Sequence, residues 1–492
     1  FTCPDCNDSW EVGNVSSPIK FGTDGWRGVI AEDFTFANVR ACAQGVASYL
    51  KRAALAPRGL IIGYDTRFAS EDFAAAAAEI IAGNGIKVYL CPKAAPTPVI
   101  SFGVLTRQAG GAIIITASHN PAAWNGFKCK SESGSSVPPE VTDEIEKHIS
   151  DALATGRIDK LPLAKAREQR LVEYLDLAPL YFDHIARLVD LDSLRQAKIK
   201  VVVDAMYGAG AGYLKALVGK GTIDLVEING ERNPLFPGIE RPEPIGPNLV
   251  KLMATVRESG ANVGLATDGD ADRIGVVDEK GNFLTTLQVF ALLALYLLEV
   301  RGERGPIVKT ITNTSMVYRL GEIFNVPVYE TSVGFKYVAP VMLAENALIG
   351  GEESGGYGFR GHVLERDGIL AALYFLDLVA KTGKNPSQLI DYLYSKVGPH
   401  HFDRRDITFP EAKRPVIMAR LGHNPPDNIE DVSVVRFDTA DGFRFVLTDG
   451  TWLLIRFSGT EPLLRIYAES STPARVARLL ELGKTLAGVD KG

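Results

Sequence analysis

The sequence predicts an α/β protein whose C-terminal part changes to an antiparallel α+β texture. Two observations lead there. Short β-rich runs alternate with longer helical patterns through most of the chain, the signature of repeated βαβ units, and after His400 three apolar runs crowd together without intervening helices. In the first cycle, Leu60-Ile61-Ile62-Gly63-Tyr64-Asp65 reads as a strand, Glu71 to Ala82 as an Ala-rich helix and Lys87-Val88-Tyr89-Leu90 as the next strand. The second restarts at Ile199-Lys200-Val201-Val202-Val203-Asp204, passes through a helix over Ala211 to Val218 and reaches a strand over Thr222 to Ile228. A third runs from Pro306-Ile307-Val308-Lys309 to Leu348-Ile349-Gly350, so the three look like divergent copies of one unit. In the last part, Val432 to Phe437, Gly442 to Leu447 and Thr451 to Phe457 read as close-spaced strands, and Pro473 to Leu486 as a helix.

Linker signals separate these units. The charged stretch Ala164 to Leu177 and the turn Asp278-Glu279-Lys280-Gly281-Asn282 place boundaries near 170 and 282. With the change of texture near 400, the expected domains are 21–170, 171–282, 283–400 and 401–492. Residues 1–20 show no periodicity and read as a flexible segment. Its Cys3-Pro4-Asp5-Cys6 has the spacing of half a zinc site, but no second Cys/His pair lies near to complete a tetrahedron.

Composition limits the function classes. A chain of 492 residues, 46% hydrophobic and 23% charged, is ordinary for a soluble globular protein. A net charge of -6 argues against a nucleic-acid or membrane-surface partner, which would need a clustered basic surface. The longest apolar stretch, Val289 to Leu298, is too short to span a bilayer and reads as a buried helix. No charged start followed by an apolar core indicates secretion, and the five scattered cysteines, Cys3, Cys6, Cys42, Cys91 and Cys129, are not a disulfide framework, so a cytoplasmic protein is expected.

Four loops carry chemistry. Gly110-Gly111-Ala112-Ile113-Ile114-Ile115 reads as a buried strand that delivers Thr116-Ala117-Ser118-His119-Asn120-Pro121 into a turn, because Asn-Pro cannot continue it. The carboxyl ends of strands are where open α/β sheets bind ligands, which makes Ser118 a candidate nucleophile. Ala266-Thr267-Asp268-Gly269-Asp270-Ala271-Asp272-Arg273 sets three carboxylates at alternate positions, a cluster that repels itself without a cation and suits Mg²⁺. An EF-hand is excluded, since its sixth position is Arg273 rather than glycine and the flanks read as strands.

Gly350-Gly351-Glu352-Glu353-Ser354-Gly355-Gly356-Tyr357-Gly358 has too many glycines for a strand or helix interior and reads as a loop whose carboxylates and hydroxyl suit sugar hydroxyls. Arg456-Phe457-Ser458-Gly459-Thr460-Glu461-Pro462, with Arg465 nearby, combines a guanidinium, hydroxyls and a close-approach glycine, the groups that hold a phosphate. Phe21-Gly22-Thr23-Asp24-Gly25-Trp26-Arg27-Gly28 and Thr331-Ser332-Val333-Gly334-Phe335-Lys336 read as further loops with one cation each.

These loops, in this order, resemble the α-D-phosphohexomutase superfamily. The likeness rests on Thr116 to Pro121 with Asn125-Gly126-Phe127-Lys128, on Asp268 to Arg273, Gly351 to Gly355, Arg456 to Pro462 and the opening Phe21 to Gly28, and it runs from about Lys20 to the end. The resemblance implies four domains around a central cleft, three similar α/β domains with mixed sheets and a C-terminal α+β lid. It implies Ser118 as the phosphorylated nucleophile, and Asp268, Asp270 and Asp272 as ligands of a Mg²⁺ that also touches the phosphoserine. Lys128 would act in proton transfer, while Arg27, His119 and Arg273 would steady the transferring phosphoryl group. Glu352 and Ser354 would hold sugar hydroxyls, with Gly334 and Lys336 beside them. Arg456, Ser458, Gly459, Thr460 and Arg465 would hold the non-reacting phosphate.

The implied partners are small hexose phosphates, with glucose 1,6-bisphosphate as activator and intermediate, in a monomer or small homo-oligomer. Glu352-Glu353-Ser354 is similar to the phosphoglucomutase version of the sugar loop, so glucose 1-phosphate and glucose 6-phosphate are the expected pair. Versions acting on mannose or glucosamine phosphates carry a histidine where Gly356 stands here, and His362 is the candidate substitute. Mannose specificity, synthesis of the bisphosphate, a phosphatase and a non-catalytic sugar-phosphate-binding regulator are the alternatives. The intact Ser118, the three aspartates and Lys128 argue against the regulator.

Overall fold

The computed structural model describes residues 19–22, 24–423, 425–458 and 463–489. Cys3-Pro4-Asp5-Cys6, Gly459 and Thr460 lie outside the described residues. Three mixed sheets follow one another along the chain, and a fourth, antiparallel sheet closes it. In spatial order the first sheet is Trp26–Val29, Trp124–Lys130, Ala112–Ile115, Leu60–Tyr64, Val88–Leu90 and Val172–Tyr174. Its last four strands are parallel, and the two at the other edge are antiparallel.

The second sheet, Phe283–Leu284, Ile274–Asp278, Val263–Thr267, Lys200–Asp204 and Asp224–Ile228, repeats that plan. So does the third, Val328–Thr331, Ile307–Thr310, Ile349–Gly351 and Tyr357–Phe359. In each unit a buried parallel strand ends, the chain turns, and it returns antiparallel beside that strand. The turns are 116–123, 268–273 and 352–356, so the three chemically rich loops occupy one equivalent place in three units. In the fourth sheet Trp452–Phe457 and Leu463–Ser470 pair antiparallel, with Ser458 just beyond the first of them.

The helices between strands form where the sequence caps them. The Thr35 hydroxyl accepts from the Asn38 amide ahead of Phe36–Arg52, Thr285 and Gln288 form a capping box on Thr286–Leu295, and Asp367 accepts from the Ile369 and Leu370 amides ahead of Gly368–Thr382. The apolar run at 289–298 is buried along its whole length as expected. Among the described residues no helix is long and apolar enough to cross a membrane.

One continuous apolar cluster runs from Ile19 to Val397 through all three mixed-sheet units, whereas the fourth has its own, from Phe409 to Ala487. Ile311, Trp452, Leu454 and Tyr467 make the small apolar contact between the third and fourth units. Beside it Glu330 binds Arg444 and Arg436, and Glu469 accepts from the Ser315 amide and hydroxyl.

Four expectations change. Phe21 to Gly28 is not wholly a loop, because Trp26–Val29 pairs with Trp124–Lys130 and sets Arg27 opposite Gly126. Val172–Tyr174 joins the first sheet beyond the boundary expected at 170, since a three-residue edge strand with two exposed positions leaves little apolar pattern to read. Thr331 ends a strand and Lys336 lies in the first turn of Phe335–Ala344, so that segment is only partly loop. The glycines at 350, 351 and 358 stand inside strands. A Cβ there would lie 2.2 Å from Met342 Sδ, 2.4 Å from the Phe290 ring and 2.6 Å from the Phe335 ring, so bulky neighbours take the space that side chains would fill.

Candidate active site

The Ser118 loop rests on one buried arginine. Arg67, fully buried, donates to the carbonyls of Ser118 and Asn120 at 2.7 Å each, of Pro121 at 2.9 Å and of Trp124 at 3.0 Å. Asp65 holds that guanidinium and accepts from Thr116 at 2.6 Å and Ser70 at 3.0 Å. With its carbonyls fixed from below, the loop keeps Ser118 in the left-handed region at φ 52°, sparsely populated for a residue with a Cβ. The result is a serine hydroxyl turned toward the aspartate loop, 3.1 Å from His119 Nδ1 and donating to Asp268 Oδ2 at 2.9 Å.

The aspartate loop approaches Ser118 closely. A Cβ on Gly269 would lie 2.4 Å from the Ser118 carbonyl oxygen, so only glycine fits between the two loops. Asp268, Asp270 and Asp272 are fully buried, and one carboxylate oxygen of each lies within 4.8 Å of the others. Asp268 Oδ1 accepts from the Asp272 and Arg273 amides, and Asp270 Oδ2 from Thr97 at 2.7 Å and Lys128 at 2.8 Å. The remaining oxygens, Asp270 Oδ1 and Asp272 Oδ1, are buried without a donor among the described residues. Buried polar atoms are rarely left so, and two orphaned carboxylate oxygens beside a third carboxylate fit a hard divalent cation.

The electrostatics divide the site. Burial and the neighbouring Asp272 and Asp270 carboxylates push Asp268 well above the usual range, whereas Asp270 opposes its burial through Lys128 and lies below it. Burial and the nearby Arg273, Arg27 and Lys128 cations hold His119 well below the usual imidazole range, so it is neutral at pH 7. Lys128, although buried, is held as an ammonium by Asp24 at 2.8 Å, Asp270 at 2.8 Å and Asp272 at 3.5 Å. Arg27 donates to the Asn120 side chain, and Arg273 lies 3.4 Å from Glu243.

The third loop meets the first two through Arg366. Its Nη2 stands 2.8 Å from Asp24 and 2.7 Å from Asp272, and its Nη1 3.3 Å from Glu352. Glu352 is buried, which pushes its carboxyl up to about 7 against the pull of Arg366. The Ser354 hydroxyl is buried with no partner among the described residues. Glu353 lies 3.4 Å from Arg404 of the fourth unit.

At the fourth unit, Arg456 donates to Asp441 Oδ1 at 2.7 Å, and Asp441 Oδ2 accepts from the Val333 amide at 2.7 Å, which sets Arg456 beside the segment holding Gly334. Gly334 has φ +129° and Lys336 stands 5.3 Å over the Tyr337 ring. Arg465 is 3.7 Å from Asp406, and Ser458 is buried at the end of its strand.

Ser118, His119, Lys128, Arg27, Arg273, the three aspartates and Glu352 are thus joined by contacts, while Arg456 and Gly334 form a second group. His362 is not the substitute suggested by the sequence. Both its ring nitrogens are engaged, Nε2 with Asp367 at 2.8 Å and Nδ1 with His184 at 3.1 Å, and its side chain is fully buried. Sequence reasoning passed over Asp24, Arg67, Lys130, Glu365 and Arg366. Asp24 lies within Phe21 to Gly28, and the charged triplet Glu365-Arg366-Asp367 before a long apolar run marks Glu365 and Arg366 as a charged cluster without showing what they contact.

Comparisons with known proteins agree along the whole chain. The four phosphoglucomutase/phosphomannomutase domain models, three alpha/beta/alpha and one C-terminal, match residues 18–155, 179–281, 286–397 and 412–482. A phosphoglucomutase/phosphomannomutase from Thermococcus kodakarensis is 32% identical over 463 residues, 94% of this chain and 97% of its own. A phosphoglucosamine/phosphogalactosamine mutase from Sulfurisphaera tokodaii is 28% identical, over 95% of this chain and 99% of its own. A Thermus thermophilus crystal structure assigned to the phosphomannomutases matches at TM-score 0.82 and 35% identity, over 96% of this chain and all of that one. The Paramecium phosphoglucomutase parafusin shares the fold at TM-score 0.81 and 22% identity, over 96% and 95%. A domain model matches each of the four units, and the chain accordingly belongs to the phosphoglucomutase/phosphomannomutase family of phosphohexomutases.

Proposed function

We propose that this phosphohexomutase interconverts glucose 1-phosphate and glucose 6-phosphate through a phosphoserine at Ser118 and a glucose 1,6-bisphosphate intermediate. The observation that carries the reading is the Ser118 hydroxyl, set in a left-handed turn against the Asp268 carboxylate and beside neutral His119. A sugar-phosphate binder has no need of such a group. Phosphoryl transfer asks a protein mainly for positioning and for neutralising charge, and Arg27, Arg273 and Lys128 surround the position with cations.

Asp268, Asp270 and Asp272 would hold Mg²⁺, which when bound would supply charge neutralisation at the transferring phosphoryl group. In the forward direction a hydroxyl of the sugar attacks the phosphorus of phosphoserine 118, its O–H bond and the Ser118 Oγ–P bond break, and the net proton passes from the sugar oxygen to Oγ. Lys128, held as an ammonium by three carboxylates, is suited to donate in such transfers rather than to accept. The bisphosphate then turns over in the cleft and returns its other phosphate to Ser118. Arg27, His119 and Arg273 steady the moving group. Glu352 and the Ser354 hydroxyl, which has no partner among the described residues, hold sugar hydroxyls, and Gly334 and Lys336 flank them. Arg456, Ser458, Gly459, Thr460 and Arg465 hold the phosphate that is not reacting, and closure of the fourth domain keeps water from the intermediate.

The Glu352-Glu353-Ser354 triplet favours glucose. A second reading, hexosamine phosphates, is favoured by the Sulfurisphaera relative's name. Separate rate measurements with glucose 1-phosphate, mannose 1-phosphate and glucosamine 1-phosphate, with Mg²⁺ and trace glucose 1,6-bisphosphate, decide between them. Fast formation of glucose 6-phosphate supports the proposal, and preference for either other sugar moves the substrate while keeping the mechanism.

A further inference from the structure

The side chain of Arg366 passes directly over Gly356. A Cβ built on Gly356 would lie 2.3 Å from Arg366 Cδ and 2.9 Å from its Cγ, closer than such atoms approach. Beyond that crossing the guanidinium meets one carboxylate from each of three units: Asp24 of the first, Asp272 of the second and Glu352 of the third. Its Nε faces Glu365 at 3.3 Å, and Glu365 in turn binds Lys130. Arg366 is only 6% exposed, so these contacts are shielded from water and each counts for more than a surface ion pair. A planar fork with several donors is the one side chain that can serve four carboxylates at once.

We propose that Arg366 is the positioning residue that holds the Glu352 carboxylate toward the sugar, and that it does so from space that any side chain at 356 would need. Position 356 is a glycine because the cation of this loop arrives from position 366. Where a loop of this kind carries histidine, the imidazole and the Arg366 stem exclude each other. The proposal rests on the reading of Glu352 as an acceptor of sugar hydroxyls.

Gly356→His, Arg366→Ala and the double variant of the full chain test it, through thermal unfolding and through KM and kcat for glucose 1-phosphate. Gly356→His is expected to lower the unfolding midpoint by about 4 °C or more in the wild-type background but by much less in the Arg366→Ala background, whatever Arg366→Ala costs by itself. Arg366→Ala alone is expected to raise KM by about tenfold, more than it lowers kcat, because an anchored carboxylate is lost from binding. Costs that simply add in the double variant, or a KM within about twofold of wild type in Arg366→Ala, would overturn the proposal. A wild-type protein that turns over no hexose phosphate would instead sink the functional reading, and the stability cycle would still decide whether 356 and 366 share one space.

Discussion

The Ser118 hydroxyl donates to the Asp268 carboxylate at 2.9 Å, joining the turns of two sheets across 150 residues of sequence. The contact needs both the left-handed backbone at Ser118 and the missing side chain at Gly269, and the two are separate features of separate loops.

Gly269→Ala therefore tests the approach of the loops without altering any charged group. Its Cβ would press on the Ser118 carbonyl at 2.4 Å, a backbone atom that Arg67 already pins. The expected cost is about 1–3 kcal/mol of stability, with a fall in kcat larger than in a surface glycine control such as Gly383→Ala. Chemical denaturation and steady-state rates measure both.

Asp24 faces Lys128, Lys130 and Arg366 at 2.8, 3.1 and 2.8 Å. Those cations hold its carboxyl well below the usual range against the effect of burial. Asp24→Asn leaves three buried cations with one carboxylate fewer, and breaking such a network costs about 3–5 kcal/mol. Urea unfolding at pH 7 measures it, and a loss under about 1 kcal/mol would show that Glu365 and the aspartate loop suffice without Asp24.

The Glu352 carboxyl, pushed up to about 7 by burial, gives a pH signature. A carboxyl whose folded pKa is raised stabilises the fold at low pH, and that contribution is lost as pH rises through about 7. Glu352→Gln should therefore gain stability relative to wild type as pH rises from about 4.5 to about 7, where the unfolded chain has given up the proton that the buried carboxyl still holds, and the difference should level off above that. Sugar binding has the opposite sense, because the ionised carboxylate is the better acceptor, so KM for the wild type should fall as pH rises through about 7 and that of Glu352→Gln should not. A flat difference between the two proteins would place Glu352 outside the titrating groups.

Chelation tests the aspartate loop. Removing divalent ions should abolish turnover and Mg²⁺ should restore it. Asp270→Asn should lose metal-dependent activity while keeping the fold, since Thr97 and Lys128 still contact its side chain. Activity that survives thorough chelation would remove the metal from the account.

Much of the fold was legible because its central strands are short, apolar and bounded by turns, as Leu60 to Asp65 and Ile199 to Asp204 show. The loops after those strands were legible for the same reason, since Ser118 and Asp268 each follow directly on an apolar run. What escaped depends on partners far away in sequence. Trp26–Val29, His401–Thr408 and Leu463–Ser470 are strands only through their neighbours in the sheet, and each carries charged residues that weaken the pattern. Arg67 and Arg366 gave no local signal of their role, because each acts through carbonyls or carboxylates that the fold brings to it. His362 as a substitute for the histidine missing at 356 could not be judged from sequence for the same reason, since only the structure places Asp367 and His184 against it.

In the proposed reaction Ser118 carries the phosphoryl group. The decisive measurement is incubation with labelled glucose 1,6-bisphosphate and Mg²⁺, followed by peptide mass analysis and by turnover of glucose 1-phosphate in wild type and Ser118→Ala. Label is expected on Ser118 and not on the variant, with turnover lost in the variant while hexose-phosphate binding is retained. Label on another residue, or full turnover by Ser118→Ala, would contradict it.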